Sequence, residues 1–98
     1  MTVRAKFKVQ RIERFMTSKA VQRVMSDGGR KTDYVPCEAW NVVMSPVYGN
    51  GDPNHENTRF WNASPGGEIK LMTVNADAVR EFELDGEFYI DFTPAGGG

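Results

Sequence analysis

The chain has 98 residues, 40% of them hydrophobic and 11% aromatic, which suits one folded domain and excludes a disordered chain. Its net charge of −1 hides a division. Residues 1–31 carry nine of the twelve Lys and Arg against two carboxylates, a net +7, and residues 32–98 carry three against eleven, a net −8. Such halves can attract each other within a subunit or between subunits.

From the N-terminus, residues 3–9 alternate strictly. Val3, Ala5, Phe7 and Val9 predict the buried side of a strand, and Arg4, Lys6 and Lys8 its outward side. The phase slips by one before Ile12, which predicts a bulge near Gln10 and Arg11. Outward cations also suit an edge strand. Residues 17–29 admit two readings. One is a short helix, capped by Thr17 or Ser18, that buries Ala20, Val21, Val24 and Met25 and stops at Gly28; the spacing slightly favours it. The other is a hairpin turning at Asp27-Gly28-Gly29, with arms near 20–25 and 31–36. Residues 37–48 then read as a strand with Trp40, Val42 and Met44 on one face, ending at Pro46.

Residues 49–53 form a turn-rich loop in which Asp52 and Pro53 are placed as N-cap and N1 of a short helix through Trp61. Phe60 and Trp61 would be its apolar plug. Residues 64–67 turn into a strand over 68–74, and Asn75 caps a helix of about two turns that buries Val79 and Phe82. Asp85-Gly86 turns into a last strand, 87–93, with Phe88, Ile90 and Phe92 inward. The expected fold is mainly β, of the α+β kind, in one domain over 1–95 with a flexible glycine tail at 96–98. Four or five short strands and one or two short helices would close a small β-barrel or a rolled antiparallel sheet. Its core would contain Phe7, Val9, Trp40, Val42, Leu71, Phe88, Ile90 and Phe92. A compact chain of this length has a radius of gyration of roughly 13 Å.

Chemistry is sparse. One His (His55) and one Cys (Cys37) are too few for a zinc site, and a single cysteine allows no internal disulfide, which suits a reducing compartment. Residues 49–56 lack the ligand ladder of a calcium loop. A Cys37–His55 nucleophile pair is outweighed by the usual place of a lone cysteine in a core. Phosphate-loop and serine-hydrolase motifs do not occur. Neither a signal sequence nor a membrane-length apolar run is present, so a soluble protein outside the standard secretory route is expected, without membrane contact. The chain therefore reads as no enzyme, with no catalytic or metal residues and no cofactor. Single-stranded nucleic acid is the alternative ligand, with Trp40, Tyr48, Phe60 or Trp61 as stacking groups, although a pI near 5.8 disfavours it.

The second half holds the most distinctive phrases: Met44-Ser45-Pro46-Val47-Tyr48, then 56–61 (ENTRFW), then 64–71 (SPGGEIKL), then 82–95 (FELDGEFYIDFTPA). Together, over roughly residues 40–95, they resemble a group of small, mostly uncharacterised proteins of tailed bacteriophages and prophages. Members of that group end in a similar G-x-x-Y-Y-V-D-F-T-P-A phrase. Residues 14–39 match nothing in that pattern and read as a variable insertion. The resemblance implies a phage protein made in the bacterial host cytoplasm and located in the virion. Capsid decoration, or another head-associated role in many copies, is the function expected from it. Its partner would be the capsid or another virion protein, or a neighbouring copy in a homo-oligomer or lattice. The alternative is an intracellular phage protein that binds single-stranded nucleic acid, a nucleotide or a host factor. For assembly, the expected contact residues are Arg4, Lys6 and Lys8, the carboxylates Asp85, Glu87 and Asp91, and the apolar Tyr48, Phe60 and Trp61, with some cations meeting acids on a neighbour.

Overall fold

The alternation at the N-terminus opens a strand three times as long as the seven residues that announce it. In the computed structural model, which describes residues 3–97, β1 spans Val3–Val24 and β2 spans Arg30–Pro46. They form one antiparallel ladder from Phe7 opposite Pro46 to Val24 opposite Arg30. The register shifts between Val9 and Arg11, where the bulge is predicted, so that Ile12 rejoins the side of Val9. β3 (Ile69–Thr73) pairs with β2 from Trp40 to Met44, and β4 (Glu87–Phe92) pairs with β1 from Val3 to Lys8. The sheet order is β3-β2-β1-β4. This is an open, rolled antiparallel sheet rather than a closed barrel. β1 is a central strand at its N-terminal end, not an edge strand, because β4 returns to cover it.

Residues 17–29 form a hairpin, not the helix that their spacing slightly favours. Gly28 takes φ +86° in the turn, its amide donating to the Met25 carbonyl (3.0 Å) while Met25 donates back to Gly29 (2.7 Å). The Asp27 carboxylate accepts from the Gly29 amide at 2.9 Å. A helix here would have needed a core for Ala20, Val21 and Val24. The ribbon instead satisfies backbone groups of both arms against each other and suits the β-branched Thr17, Val21 and Val24. Beyond Trp40 and Arg14, β1 and β2 are the only ladder neighbours of each other among the described residues. They form a two-stranded arm that stretches the molecule to 65 × 34 × 19 Å, with a radius of gyration of 19.1 Å.

The core is correspondingly small. Ala5, Phe7, Val9, Val42 and Met44 cluster, and Ile12, Trp61, Ile69, Val79, Phe82, Phe88 and Ile90 pack against them. Three of the predicted core residues, Trp40, Leu71 and Phe92, lie outside it; Leu71 is 50% exposed and Phe92 48%. Leu71 and Phe92 sit on the correct side of short flanking strands, but nothing among the described residues lies over them as a second sheet would. Trp40 is half-buried.

Two short helices close the ends. α1 (Glu56–Trp61) is capped by His55, whose Nδ1 accepts from the Asn57 amide at 3.1 Å. Asp52 accepts from the Asn54 amide one turn earlier, so the cap expected at Asp52 lies three residues later in the chain. α2 (Ala76–Val79) begins as predicted at Asn75, whose side chain accepts from the amides of Asp77 and Ala78. Turns at Glu81 and Phe82 continue it, bringing Phe82 to the core at 5.1 Å from the Phe88 ring. Ala95–Gly97 forms a 3-10 turn, and Gly98 of the expected tail lies outside the described residues.

Candidate interaction surface

Strand pairing decides where the expected contact charges meet. β1 and β4 place Arg4 opposite Asp91 and Lys8 opposite Glu87 on the side away from the core. The Arg4 guanidinium grips Asp91 with two bonds, Nε to Oδ1 at 2.7 Å and Nη2 to Oδ2 at 3.0 Å. Lys6 Nζ lies 3.6 Å from Glu87 and 3.7 Å from Glu56, and Lys8 Nζ lies 4.0 Å from Asp85. Arg4 and Lys6 also sit over the Tyr89 ring, at 4.9 and 5.2 Å. The hydrogen bond from Arg4 holds the Asp91 carboxyl below its ordinary range and raises Arg4 in turn. Arg14 does the same to Glu38 along the arm. The six charged residues expected to reach for a neighbour therefore face one another within the chain. These exposed pairs add little stability in water, but they neutralise the basic stripe.

The aromatic candidates gather around α1. Trp61 is half-buried, its Nε1 donating to the Gly66 carbonyl at 2.8 Å and its ring 6.1 Å from Phe7. It is the expected plug. Phe60 lies outside it, 4.5 Å from Trp61 and 6.5 Å from Phe92, and is 45% exposed. Tyr48 is exposed and borders a hollow of about 300 Å³ with Thr58, Asn62 and Pro65.

Asn57, which no sequence pattern singled out, anchors this end. It is fully buried. Its Oδ1 accepts from the Lys6 amide at 2.6 Å, and its Nδ2 donates to the carbonyls of Lys6 (2.7 Å) and Val47 (2.6 Å). The side-chain amide thus takes over the ladder where Pro46 ends β2. Gly49 lets the loop approach, because a Cβ there would run into Thr58 Oγ1 and the His55 ring.

Two further features are surfaces where the sequence reading expected buried side chains. An open apolar trough of about 510 Å³ lies along the core side of the sheet, lined by Phe7, Met44, Leu71, Phe82, Phe88 and Phe92. The arm carries exposed apolar side chains on the same side of the ladder: Met16 (62% exposed), Val24 (71%) and Tyr34 (73%). Four of the trough residues (Phe7, Leu71, Phe88 and Phe92) were expected in a closed core, and Val24 on the buried face of a helix.

Cys37 stands in the arm opposite Thr17, whereas His55 caps α1, so no nucleophile pair is built from them. No group of three or more His, Cys, Asp or Glu that could hold a metal ion occurs among the described residues. No helix among them is long and apolar enough to cross a membrane. The chain matches no protein-family model, no curated protein and no solved structure.

Proposed function

We propose that this chain is a non-enzymatic assembly protein of a bacteriophage particle, most simply a capsid-decorating or other head-associated protein present in many copies. The observation that carries the reading is the arm. A two-stranded ribbon in water is marginal at best, and this one holds Met16, Val24 and Tyr34 out of any core of its own chain. Side chains of that kind on a projecting element fit a surface that another molecule covers. In an ordered shell, weak contacts of many copies add through avidity. The resemblance of residues 40–95 to small tailed-phage proteins supplies the setting.

The nucleic-acid reading is less well supported by the geometry. Its natural groove would use Arg4, Lys6 and Lys8, and Asp91, Glu87, Glu56 and Asp85 already face those cations. Mass spectrometry of purified particles tests the proposal. Peptides of this chain at a copy number comparable with shell proteins are expected. Their absence from particles overturns the virion reading, and salt-dependent binding of single-stranded oligonucleotides by the purified protein would favour the alternative.

A further inference from the structure

The arm and the trough carry an inference of their own. We infer that the arm of one copy lies on the apolar trough of a second copy, and that the two copies do this reciprocally in a two-fold dimer. The inference rests on the reading of this chain as an assembly protein and names the partner of its exposed surface.

Three observations converge. The pairing register places Met16, Ala20, Val24 and Tyr34 on the same side of the ladder as Phe7, Val9 and Val42, so arm and trough belong to one continuous side of an elongated molecule. Two such molecules stacked face to face and antiparallel on this side bring each arm over the other's trough, a self-complementary arrangement. Charge favours the same match. Residues 14–39 hold five basic and three acidic residues, a net +2, which leaves −3 on the rest of the chain. Arg30, opposite Val24 on that same side, and Glu68, Glu81 and Glu83, next in sequence to the trough-lining Ile69 and Phe82, make no ion pair among the described residues.

Area selects the reciprocal form. Ten residues of a two-stranded ribbon give a face about 33 Å long and about 10 Å wide. One such face, roughly 330 Å², is well below the ~800 Å² per partner of a stable interface. Giving an arm and receiving one doubles it to roughly 660 Å², inside the lower range of specific interfaces, and the exposed Phe60, 6.5 Å from Phe92, extends the rim. A single arm docked on an unrelated flat surface would lack that second half.

Sedimentation equilibrium of the purified full chain tests this, using two double variants at exposed positions: Met16→Asp with Tyr34→Asp on the arm, and Leu71→Asp with Phe92→Asp in the trough. Wild type is expected to be dimeric in the micromolar range, and each double variant to dissociate about 30-fold more readily or worse. An equimolar mixture of the two variants should recover a heterodimer of intermediate strength, since one intact arm still meets one intact trough. A variant that merely misfolds would not recover in this way. A wild-type monomer at about 100 µM, an association untouched by either variant, or a mixture that stays monomeric overturns the inference. A monomeric chain found in particles would overturn it while leaving the virion reading intact. The expected dimer, absent from particles, would do the reverse.

Discussion

Residues 3–9 and residues 16–24 lie in the same strand, yet one stretch makes a core and the other makes a surface. At the first, β1 is flanked by both β2 and β4, and α1 closes the end, so Ala5, Phe7 and Val9 are buried. At the second, only β2 runs alongside, and Met16 and Val24 stand in water although they occupy the same side of the ladder. The pairing of β1 with β2 is alike in the two regions; the strand on its other edge and the helix at its end are present only in the first. A strand's apolar alternation therefore stabilises this protein only where a third element covers it, and elsewhere leaves a surface fit for a partner.

The sharpest way to break that contrast is to remove a side chain from the covered region. Phe7→Ala, at the centre of the cluster, should cost about 3–5 kcal/mol in a denaturant titration. A loss below about 1 kcal/mol would show that the covered region is no better packed than the arm. Asn57→Ala should follow at about 2–3 kcal/mol, because it strands the buried Lys6 amide and Val47 carbonyl without a partner. Asn57→Asp, of the same shape, should also destabilise, since its second oxygen would face those two carbonyls. If both variants melt like wild type, the junction at Pro46 is held by something other than this side chain.

The arm should respond far more weakly when the isolated chain is kept dilute. Tyr34→Ala and Val24→Ala are expected within about 0.5 kcal/mol of wild type. Amides of residues 16–24 should exchange with solvent well before those of residues 5–9. Equal protection along β1 in dilute protein would erase the distinction between the regions. The smallest effect concerns pH. Asp91 and Glu38 have carboxyls held below their ordinary values by Arg4 and Arg14, so their contribution is present above the unfolded carboxylate range and is lost as pH falls through the lowered values. Stability measured from pH 6 down to about 2 should therefore fall less in Asp91→Asn, with Glu38→Gln, than in wild type. Unchanged acid sensitivity would mean that neither pair matters to folding.

Some of this was legible residue by residue. Strict alternation over residues 3–9 announces a strand, the phase slip before Ile12 announces the bulge, and Pro46 and Asn75 mark a strand end and a helix start, because each depends on geometry within a few residues. The helix weighed at residues 17–29 shows the limit of such reasoning. Apolar residues at 20, 21, 24 and 25 fit a helical face as well as a ribbon, and only the pairing with residues 30–37 decides between them.

The interaction surface was legible only in its parts. Arg4, Lys6 and Lys8 were visible as an outward stripe, but that Asp91, Glu87 and Asp85 answer them depends on β4 returning antiparallel beside β1, some eighty residues along the chain. Asn57 and Gly49 carry no local signal, since their roles arise from the place where β2 ends against α1. Composition and local pattern thus determined a β-rich single chain with a bulged first strand and capped short helices, all consequences of short-range sterics and hydrogen bonding. Which alternating stretch became core, which became an exposed arm, and which charges cancelled were decided by how many strands come to lie side by side, a long-range matter that no window of a few residues contains.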